Sequence, residues 1–177
     1  MTPDILIIGG GIAGISAGAR LAPHARVLVL EAEDALGHHA SGRSAALYEP
    51  RYGAPAVVEL SMASGDYFRS IPGLLSPRGL LLVGRDDQKV AFDKDMAGMA
   101  FDPISVDQAL AMVPILNRDA VTMAGHAAHA EDIDTDLLLQ GFARTIRAQG
   151  GQIVTRARVE RIERTPEGWR VTWPGGM

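Results

Sequence analysis

The chain has 177 residues, no cysteine and a formal net charge of −4, and 47% of its residues are hydrophobic. This length fits one or two domains, the lack of cysteine excludes disulfide and thiolate chemistry, and the mild negative charge offers no basic surface for nucleic acid or anionic lipid. No apolar run approaches the roughly 20 residues of a membrane span, and no basic leader precedes the first predicted strand, so we expect a cytoplasmic protein.

An apolar strand, a glycine-rich turn and a helix of small residues open the chain. Residues 4–8 predict a buried strand and residues 26–31 a second one, with a helix over residues 12–22 between them. A continuous apolar run of this length is typical of a strand buried on both faces. The order strand, helix, strand predicts a parallel βαβ unit.

The glycines of this turn have the spacing of a dinucleotide-binding site. Gly9 permits the tight turn, Gly11 lets the backbone approach a pyrophosphate, and Gly14 lets the helix pack close to the strand. The helix that follows directs unpaired N–H groups and its positive dipole end at the phosphates. Glu31 ends the second strand, where a carboxylate accepts hydrogen bonds from ribose hydroxyls and disfavours the 2′-phosphate of NADP. The alternative is a βαβ unit whose glycines serve packing alone.

The rest of the chain alternates short helices and strands. Prolines, glycines and the capping-box spacing of Ser105 and Gln108 mark the boundaries of these elements. We predict a loop with a short helix over 35–53, a helix over 55–70, a strand over 79–84, an exposed helix over 86–96, a helix from Ser105 to Met112, a strand over 119–130, a helix from Asp134 or Thr135 to Gln149, and a hairpin of residues 153–162 and 169–173.

Residues 37–46 form a second stretch suited to a phosphate-bearing ligand. The hydroxyls of Ser41 and Ser44 can donate hydrogen bonds to phosphate oxygens, and Arg43 can supply positive charge. The small side chain of Ala45 lets the backbone approach a flat ring. Local turn caps for the serines and a solvent-facing position for the arginine remain open as alternatives.

Three stretches of the chain resemble the D-amino-acid oxidase/glycine oxidase/sarcosine oxidase family of FAD-dependent oxidoreductases. They are residues 7–14 with Glu31, residues 37–46, and residues 132–136 with the following helix, Gly150-Gly151 and Val159-Glu160-Arg161-Ile162. The resemblance implies an α/β fold: a Rossmann-like FAD-binding domain with a parallel sheet, a β-hairpin crossover and an inserted α+β substrate lobe. It implies that residues 1–70 and 133–177 form the FAD-binding domain and that residues 71–132 form part of the substrate-binding lobe.

The resemblance also implies the cofactor and the reaction. FAD would be bound non-covalently, and a small-molecule amine or amino acid would be oxidised by hydride transfer from its Cα–H to the flavin. No residue is nominated as catalytic, because an amine that binds in its neutral form needs no acid or base. The residues expected to contact FAD are Gly9, Gly11, Ile12, Ala13, Gly14, Glu31, Ala32, Ser41, Arg43, Ser44, Ala45 and Val159, the last through backbone groups that face adenine.

Two other functions and one departure from the family accompany this hypothesis. An NAD-dependent dehydrogenase fits the glycine turn but leaves residues 37–46 without a purpose, and a non-catalytic nucleotide-binding fragment or subunit fits the short length. Family members are considerably longer, and their substrate-binding arginine comes from the later part. We therefore expect an N-terminal portion that needs a C-terminal half or a second chain as partner.

Several polar residues outside these stretches have less specific patterns. His126 and His129, followed by acids at 132, 134 and 136, have the spacing of no closed metal site, so we expect no metal and assign the acids to helix capping. His38 and His39 are expected to be solvated. Tyr48 and its neighbours Arg51 and Tyr52 either face the flavin or the substrate or pack within a lobe.

Overall fold

The computed structural model describes residues 2–176, which form two compact units. The first unit runs to Ala45 and resumes at Asp134, and the second comprises Ala46–Ile133. In chain order the elements are β1 (Ile5–Ile8), α1 (Ile12–Leu21), β2 (Val27–Leu30), β3 (Leu47–Tyr48), α2 (Pro55–Arg69), β4 (Leu75–Pro77), β5 (Leu80–Gly84), α3 (Lys89–Gly98), β6 (Asp102–Ile104), α4 (Val106–Met112), β7 (Met123–Ala127), β8 (Glu131–Ile133), α5 (Thr135–Ala148), β9 (Gln152–Val154), β10 (Arg161–Thr165) and β11 (Gly168–Thr172). Within the described residues no helix is both long and apolar enough to cross a bilayer.

A parallel three-stranded sheet in the order β1–β2–β9 forms the centre of the first unit. Every residue of β2 is buried, as the apolar run predicts. Helices α1 and α5 cover one face of the sheet, where a Cβ built on Gly18 would lie 2.8 Å from the side chain of Ile146 and 3.4 Å from that of Ile7. The two helices therefore approach each other where the sequence places a residue without a side chain.

The hairpin β10–β11 packs on the other face of this sheet. Leu28 and Leu30 of β2 form a buried cluster with Val171 of β11 and with Ala157, which lies between β9 and β10. Leu6 contacts the same cluster, whereas its neighbour Ile7 faces α1. The period-two alternation of β1 thus divides its side chains between the two faces.

An ion pair connects the start of β1 to the start of β2. The carboxylate of Asp4 accepts hydrogen bonds from the guanidinium of Arg26, at 2.6 and 3.0 Å, and from its backbone N–H at 2.9 Å. These hydrogen bonds lower the pKa of Asp4 to about 2, so the pair stays ionised in mildly acidic solution.

Two antiparallel three-stranded sheets make up the second unit, in the orders β3–β8–β4 and β5–β7–β6. Helix α2 contacts the first sheet, because the hydroxyl of Tyr48 donates to the carbonyl of Ser61 at 2.9 Å. The guanidinium of Arg69, in the last turn of α2, pairs with Glu131 of β8 at 3.3 Å. Helix α3 contacts β5, where a Cβ on Gly84 would lie 3.0 Å from the ring of Phe92.

These contacts place residues 46–70 with the inserted segment, whereas the sequence assigns them to the FAD-binding domain. The reason is the pairing of β3 with β8 and the contact of α2 with β3, which no local pattern reveals. The assignment of one unit to FAD and of the other to substrate remains a prediction.

The predicted helices over 12–22, 55–70 and 135–149 are confirmed to within one residue, and the turn between β10 and β11 is confirmed as a hairpin. The strand predicted over 119–130 is confirmed only over Met123–Ala127, which is β7. Strands β3, β4, β6 and β8 were not predicted, because two or three residues are too few to show a period.

The continuous strand predicted over 153–162 is also wrong. Arg156 adopts a left-handed backbone with φ of 55°, which ends the extended conformation after β9. The next N–H, that of Ala157, donates to the carbonyl of Glu31 at 2.8 Å. The chain therefore leaves the sheet to bond with the end of β2 before β10 begins.

The end of α3 offers a test of backbone strain. Ala100 follows the helix with a left-handed φ of 53°, and the N–H of Phe101 donates to the carbonyl of Met96 at 3.0 Å, as in a Schellman motif. Since glycine adopts this conformation without steric cost, Ala100→Gly is expected to raise the free energy of unfolding by about 1 kcal/mol. Urea unfolding monitored by circular dichroism measures this.

Ala91→Gly is the matched control, because Ala91 is exposed within the same helix. There the substitution is expected to lower the free energy of unfolding by about 1 kcal/mol. If both substitutions changed the free energy of unfolding in the same direction, the assignment of strain to residue 100 would be wrong.

Candidate functional site

The turn after β1 joins the ends of β1 and β2. Gly9 has φ of 108°, which side chains of L residues rarely permit, and its N–H donates to the carbonyl of Leu30 at 2.8 Å. Gly11 then caps α1 with an extended backbone, and its carbonyl accepts the first helical hydrogen bond from Ile15 at 3.0 Å. The turn therefore directs the N-terminus of α1 toward the carboxyl end of the sheet.

Gly14 holds α1 against this turn. A Cβ built on Gly14 would lie 2.1 Å from the carbonyl oxygen of Gly9 and 3.1 Å from the side chain of Ile7. Since real Cβ atoms do not approach a carbonyl oxygen so closely, a side chain here would push α1 away from the strand. Gly14 thus lies where the helix packs closely on the strand, as the sequence predicts.

Glu31 is buried directly after β2, with 7% of its surface exposed. One carboxylate oxygen accepts the N–H of Gly10 at 2.6 Å, and the other accepts the N–H of Glu33 at 2.9 Å. The positive end of the α1 dipole lies at the same turn and favours the negative charge. Each oxygen uses one lone pair in this way and retains another for a further donor.

Ser41 reaches the same place from the following loop. Its hydroxyl oxygen accepts the N–H of Ile12 at 2.9 Å and so satisfies one of the unpaired donors of the first turn of α1. The hydroxyl retains its own hydrogen for donation to an acceptor outside. The neighbouring Ala13 is exposed.

Two glycines close the loop that carries Ser41. The N–H of Gly37 donates to the carbonyl of Gly10 at 3.0 Å, and the N–H of Gly42 donates to the carbonyl of Gly37 at 2.7 Å. Gly37 has φ of 69°, and a Cβ on Gly42 would lie 2.4 Å from the Gly37 oxygen. The resulting short 3₁₀ helix, Ala40–Arg43, brings Ser41 to the start of α1.

Gly10 and Gly37 also shape this turn and loop, although neither is among the residues predicted to contact FAD. Gly10 provides the N–H that holds Glu31, and there is no room for a side chain, since its Cβ would lie 2.5 Å from Leu36. The signal available in the sequence is the pair of glycines five residues apart, Gly37 and Gly42, which flank the loop bearing Ser41.

The remaining nominated residues lie around this centre. Arg43, Ser44 and Ala45 are exposed on the loop, and the guanidinium of Arg43 donates to the carbonyl of His38 at 3.2 Å. Ala32 is half-buried beside Glu31. Val159 is half-buried after β9 and contacts the cluster that includes Leu28. Contact of any of the nominated residues with FAD remains a prediction.

The polar residues with less specific patterns have local partners. His39 is exposed and pairs with Glu33 at 3.0 Å. Tyr48 is buried inside the second unit, where its ring meets that of Phe68 edge to face. Tyr52 is 68% exposed. Across residues 2–176 no three His, Asp or Glu side chains converge as metal ligands would.

A groove of about 650 Å³ lies within the first unit, on the face of the sheet opposite α1. Its lining includes Leu6, Ile8 and Leu28 of the sheet together with Trp169 and Trp173. Ile8 is 52% exposed and Trp169 is 70% exposed. Among the described strands β1 stands at an edge of its sheet, so the groove and the free strand edge adjoin.

Replacement of Gly14 tests the packing of the turn. Because the added methyl group would collide with the Gly9 carbonyl, Gly14→Ala is expected to lower the free energy of unfolding by about 1–3 kcal/mol. Gly141→Ala is the matched control, because Gly141 is also helical and its Cβ would meet only the guanidinium of Arg144, at 3.8 Å. This variant is expected to raise the free energy of unfolding by about 1 kcal/mol. Denaturant unfolding of both variants gives the comparison, and a stable Gly14→Ala would contradict the packing role.

Comparison with known proteins identifies the family. The family model described as FAD-dependent oxidoreductase, DAO, matches residues 4–176. FAD-dependent oxidoreductase domain-containing protein 1 of Bos taurus is 25% identical over 171 residues, which cover 83% of this chain and 35% of that protein.

Solved structures share the fold. L-alpha-glycerophosphate oxidase from Mycoplasma pneumoniae, a structure with FAD bound, superposes with a TM-score of 0.79 at 18% identity and covers 97% of this chain and 49% of its own. Glycine oxidase from Geobacillus kaustophilus has a TM-score of 0.77 at 21% identity and covers 98% and 52%. The chain thus spans about half the length of these two structures. The predicted α/β class with a Rossmann-like parallel sheet is confirmed, and the chain belongs to the DAO family of FAD-dependent oxidoreductases.

Proposed function

We propose that this chain is the nucleotide-binding part of a flavoprotein that oxidises an amine or amino acid. The observation that carries the proposal is the buried Glu31 carboxylate beside the glycine turn and the N-terminus of α1. In a family that depends on FAD, this combination offers donors to a diphosphate and an acceptor to the adjacent sugar. The match to an FAD-dependent family favours FAD over the NAD alternative.

The residues present fit FAD without rearrangement of the turn. Ser41 accepts the N–H of Ile12, so its hydroxyl hydrogen is available to a phosphate oxygen. Glu31 holds two backbone N–H groups and still has acceptor capacity for both ribose hydroxyls. Both side chains are therefore oriented before the ligand arrives, which lowers the entropic cost of binding.

The other nominated residues would complete a non-covalent site. The backbone from Gly9 to Gly14 would face the pyrophosphate, and Val159 would offer backbone groups to adenine. The exposed loop would add the charge of Arg43 and the hydroxyl of Ser44 to the phosphates, with Ala45 close to the flavin ring. When bound, FAD supplies the hydride acceptor, and this chain orients it and excludes water from it.

The amine or amino-acid class of substrate is the finer part of the proposal. It rests on the resemblance of residues 37–46 and 132–162 to the family of amine oxidoreductases, and a glycine oxidase is among the structures that share the fold. A glycerophosphate oxidase shares it as well, so the substrate panel in any assay includes hydroxy compounds. The competing function is that of a non-catalytic nucleotide-binding subunit. It is favoured by the fact that this chain covers only about half of the related structures.

We further propose that oxidation requires the other half of the flavoprotein, on the same polypeptide or on a second one. Support comes from the half-length match to the related structures and from the groove beside β1, which stands at an edge of the described sheet. An exposed Ile8 next to an unpaired strand edge is typical of a surface that another strand covers.

Titration of the purified chain with FAD, followed by flavin fluorescence, tests the ribose acceptor. Glu31→Gln keeps the shape but turns an amide NH₂ toward a backbone N–H, so FAD affinity is expected to fall by about tenfold, equivalent to about 1.4 kcal/mol. Glu33→Gln is the control, because the Glu33 carboxylate pairs with the exposed His39 and Arg158 rather than with the turn. Equal affinities of the wild type and Glu31→Gln, or binding of NADH in place of FAD, would contradict the proposal.

Anaerobic reduction of the flavin tests the reaction class. The 177-residue chain is expected to bind FAD weakly and to be reduced slowly by any amine or amino acid in a panel that also contains glycerophosphate. Co-expression with a polypeptide that corresponds to the uncovered half of the related structures is expected to restore tight FAD binding and reduction by amines. Rapid turnover by the chain alone would refute the need for a second half, and reduction by hydroxy compounds only would refute the amine class.

A further inference from the structure

A second buried carboxylate lies outside the nucleotide site. Among the described residues, Glu31 and Glu49 are the charged groups that are buried, and the side chain of Glu49 is only 1% exposed. One oxygen of Glu49 accepts the N–H of Arg51 at 2.9 Å. The other lies 2.7 Å from Nε2 of His129, whose side chain is 35% exposed.

The position of this pair gives it a structural task in the second unit. Glu49 directly follows β3, and His129 lies in the turn between β7 and β8. Strands β3 and β8 pair through two residues only, Leu47 with Asp132 and Tyr48 with Glu131. The Glu49–His129 pair therefore continues a very short ladder with a side-chain contact.

The charged groups around the pair have other partners. Arg69 of α2 pairs with Glu131 and lies over the ring of Tyr48, and Arg78 pairs with Asp132. Burial raises the pKa of the Tyr48 phenol. The charge of Arg69 lowers this pKa and the charges of Glu131 and Glu49 raise it, so the phenol stays neutral. Arg51 contributes its backbone N–H. His129 is thus the basic side chain that contacts the second oxygen of Glu49.

We propose that the Glu49–His129 pair is a pH-sensitive contact that holds the end of β3 to the β7–β8 turn. An imidazole changes its charge between about pH 5 and 8. A charged imidazole balances the buried carboxylate, whereas a neutral ring offers it a hydrogen bond but no opposite charge. The contact is accordingly expected to stabilise the second unit more in mildly acidic solution, where imidazoles are charged, than near pH 8. This proposal does not depend on FAD or on the substrate.

Thermal unfolding of the 177-residue chain between pH 5.5 and 8 tests the contact. In the wild type the melting temperature is expected to fall by about 3 °C more over this range than in His129→Gln, whose uncharged amide keeps a donor to Glu49. Glu49→Gln is expected to abolish the same difference. His24→Gln, at an exposed histidine of the other unit, is the matched control and is expected to retain the slope of the wild type.

The NMR signal of the histidine Cε1–H provides a readout that does not depend on stability. Replacement of Glu49 by glutamine is expected to shift the signal of His129, which contacts Glu49 at 2.7 Å, and to leave that of His24 unchanged. An unchanged His129 signal, or the same thermal slope in the wild type and His129→Gln, would overturn the proposal.

Discussion

The carboxylate of Glu31 is the constraint on which the first unit depends. It lies at the end of a fully buried strand and bonds to backbone N–H groups on both sides, that of Gly10 in the turn and that of Glu33 beyond the strand. A buried carboxylate without such donors would cost several kcal/mol, so the turn and the acid require each other. The same two bonds orient the acid next to the start of α1, where an anion is favoured.

Glycines also allow helix α1 to pack closely against its neighbours in this unit. The absence of a side chain at Gly14 lets α1 contact the Gly9 carbonyl, and at Gly18 it lets α1 approach Ile146 of α5. Glycine inside a helix costs about 1 kcal/mol relative to alanine, and the packing of two helices on one sheet offsets that cost. Close packing is what brings the helix N-terminus, Ser41 and Glu31 to one place.

The two buried acids of the chain are satisfied in different ways. Glu31 accepts two backbone N–H groups, which carry no titratable proton. Glu49 has one backbone donor and one contact with a histidine ring. The two units thus satisfy their buried carboxylates with different kinds of donor.

The sequence by itself determined the βαβ unit, the glycine turn and the acid after β2, because these depend on local rules: apolar periodicity, left-handed glycine and the carboxyl end of a strand. It also determined most helices, since caps and prolines mark their ends. It did not determine β3, β4 and β6, the break at Arg156 or the assignment of residues 46–70 to the second unit. Those features depend on partners far along the chain, such as Glu131 for Tyr48 and Glu31 for Ala157. Only the tertiary structure brought Gly10 to Glu31 and His129 to Glu49, because hydrogen bonds between distant residues leave no period or motif in the sequence.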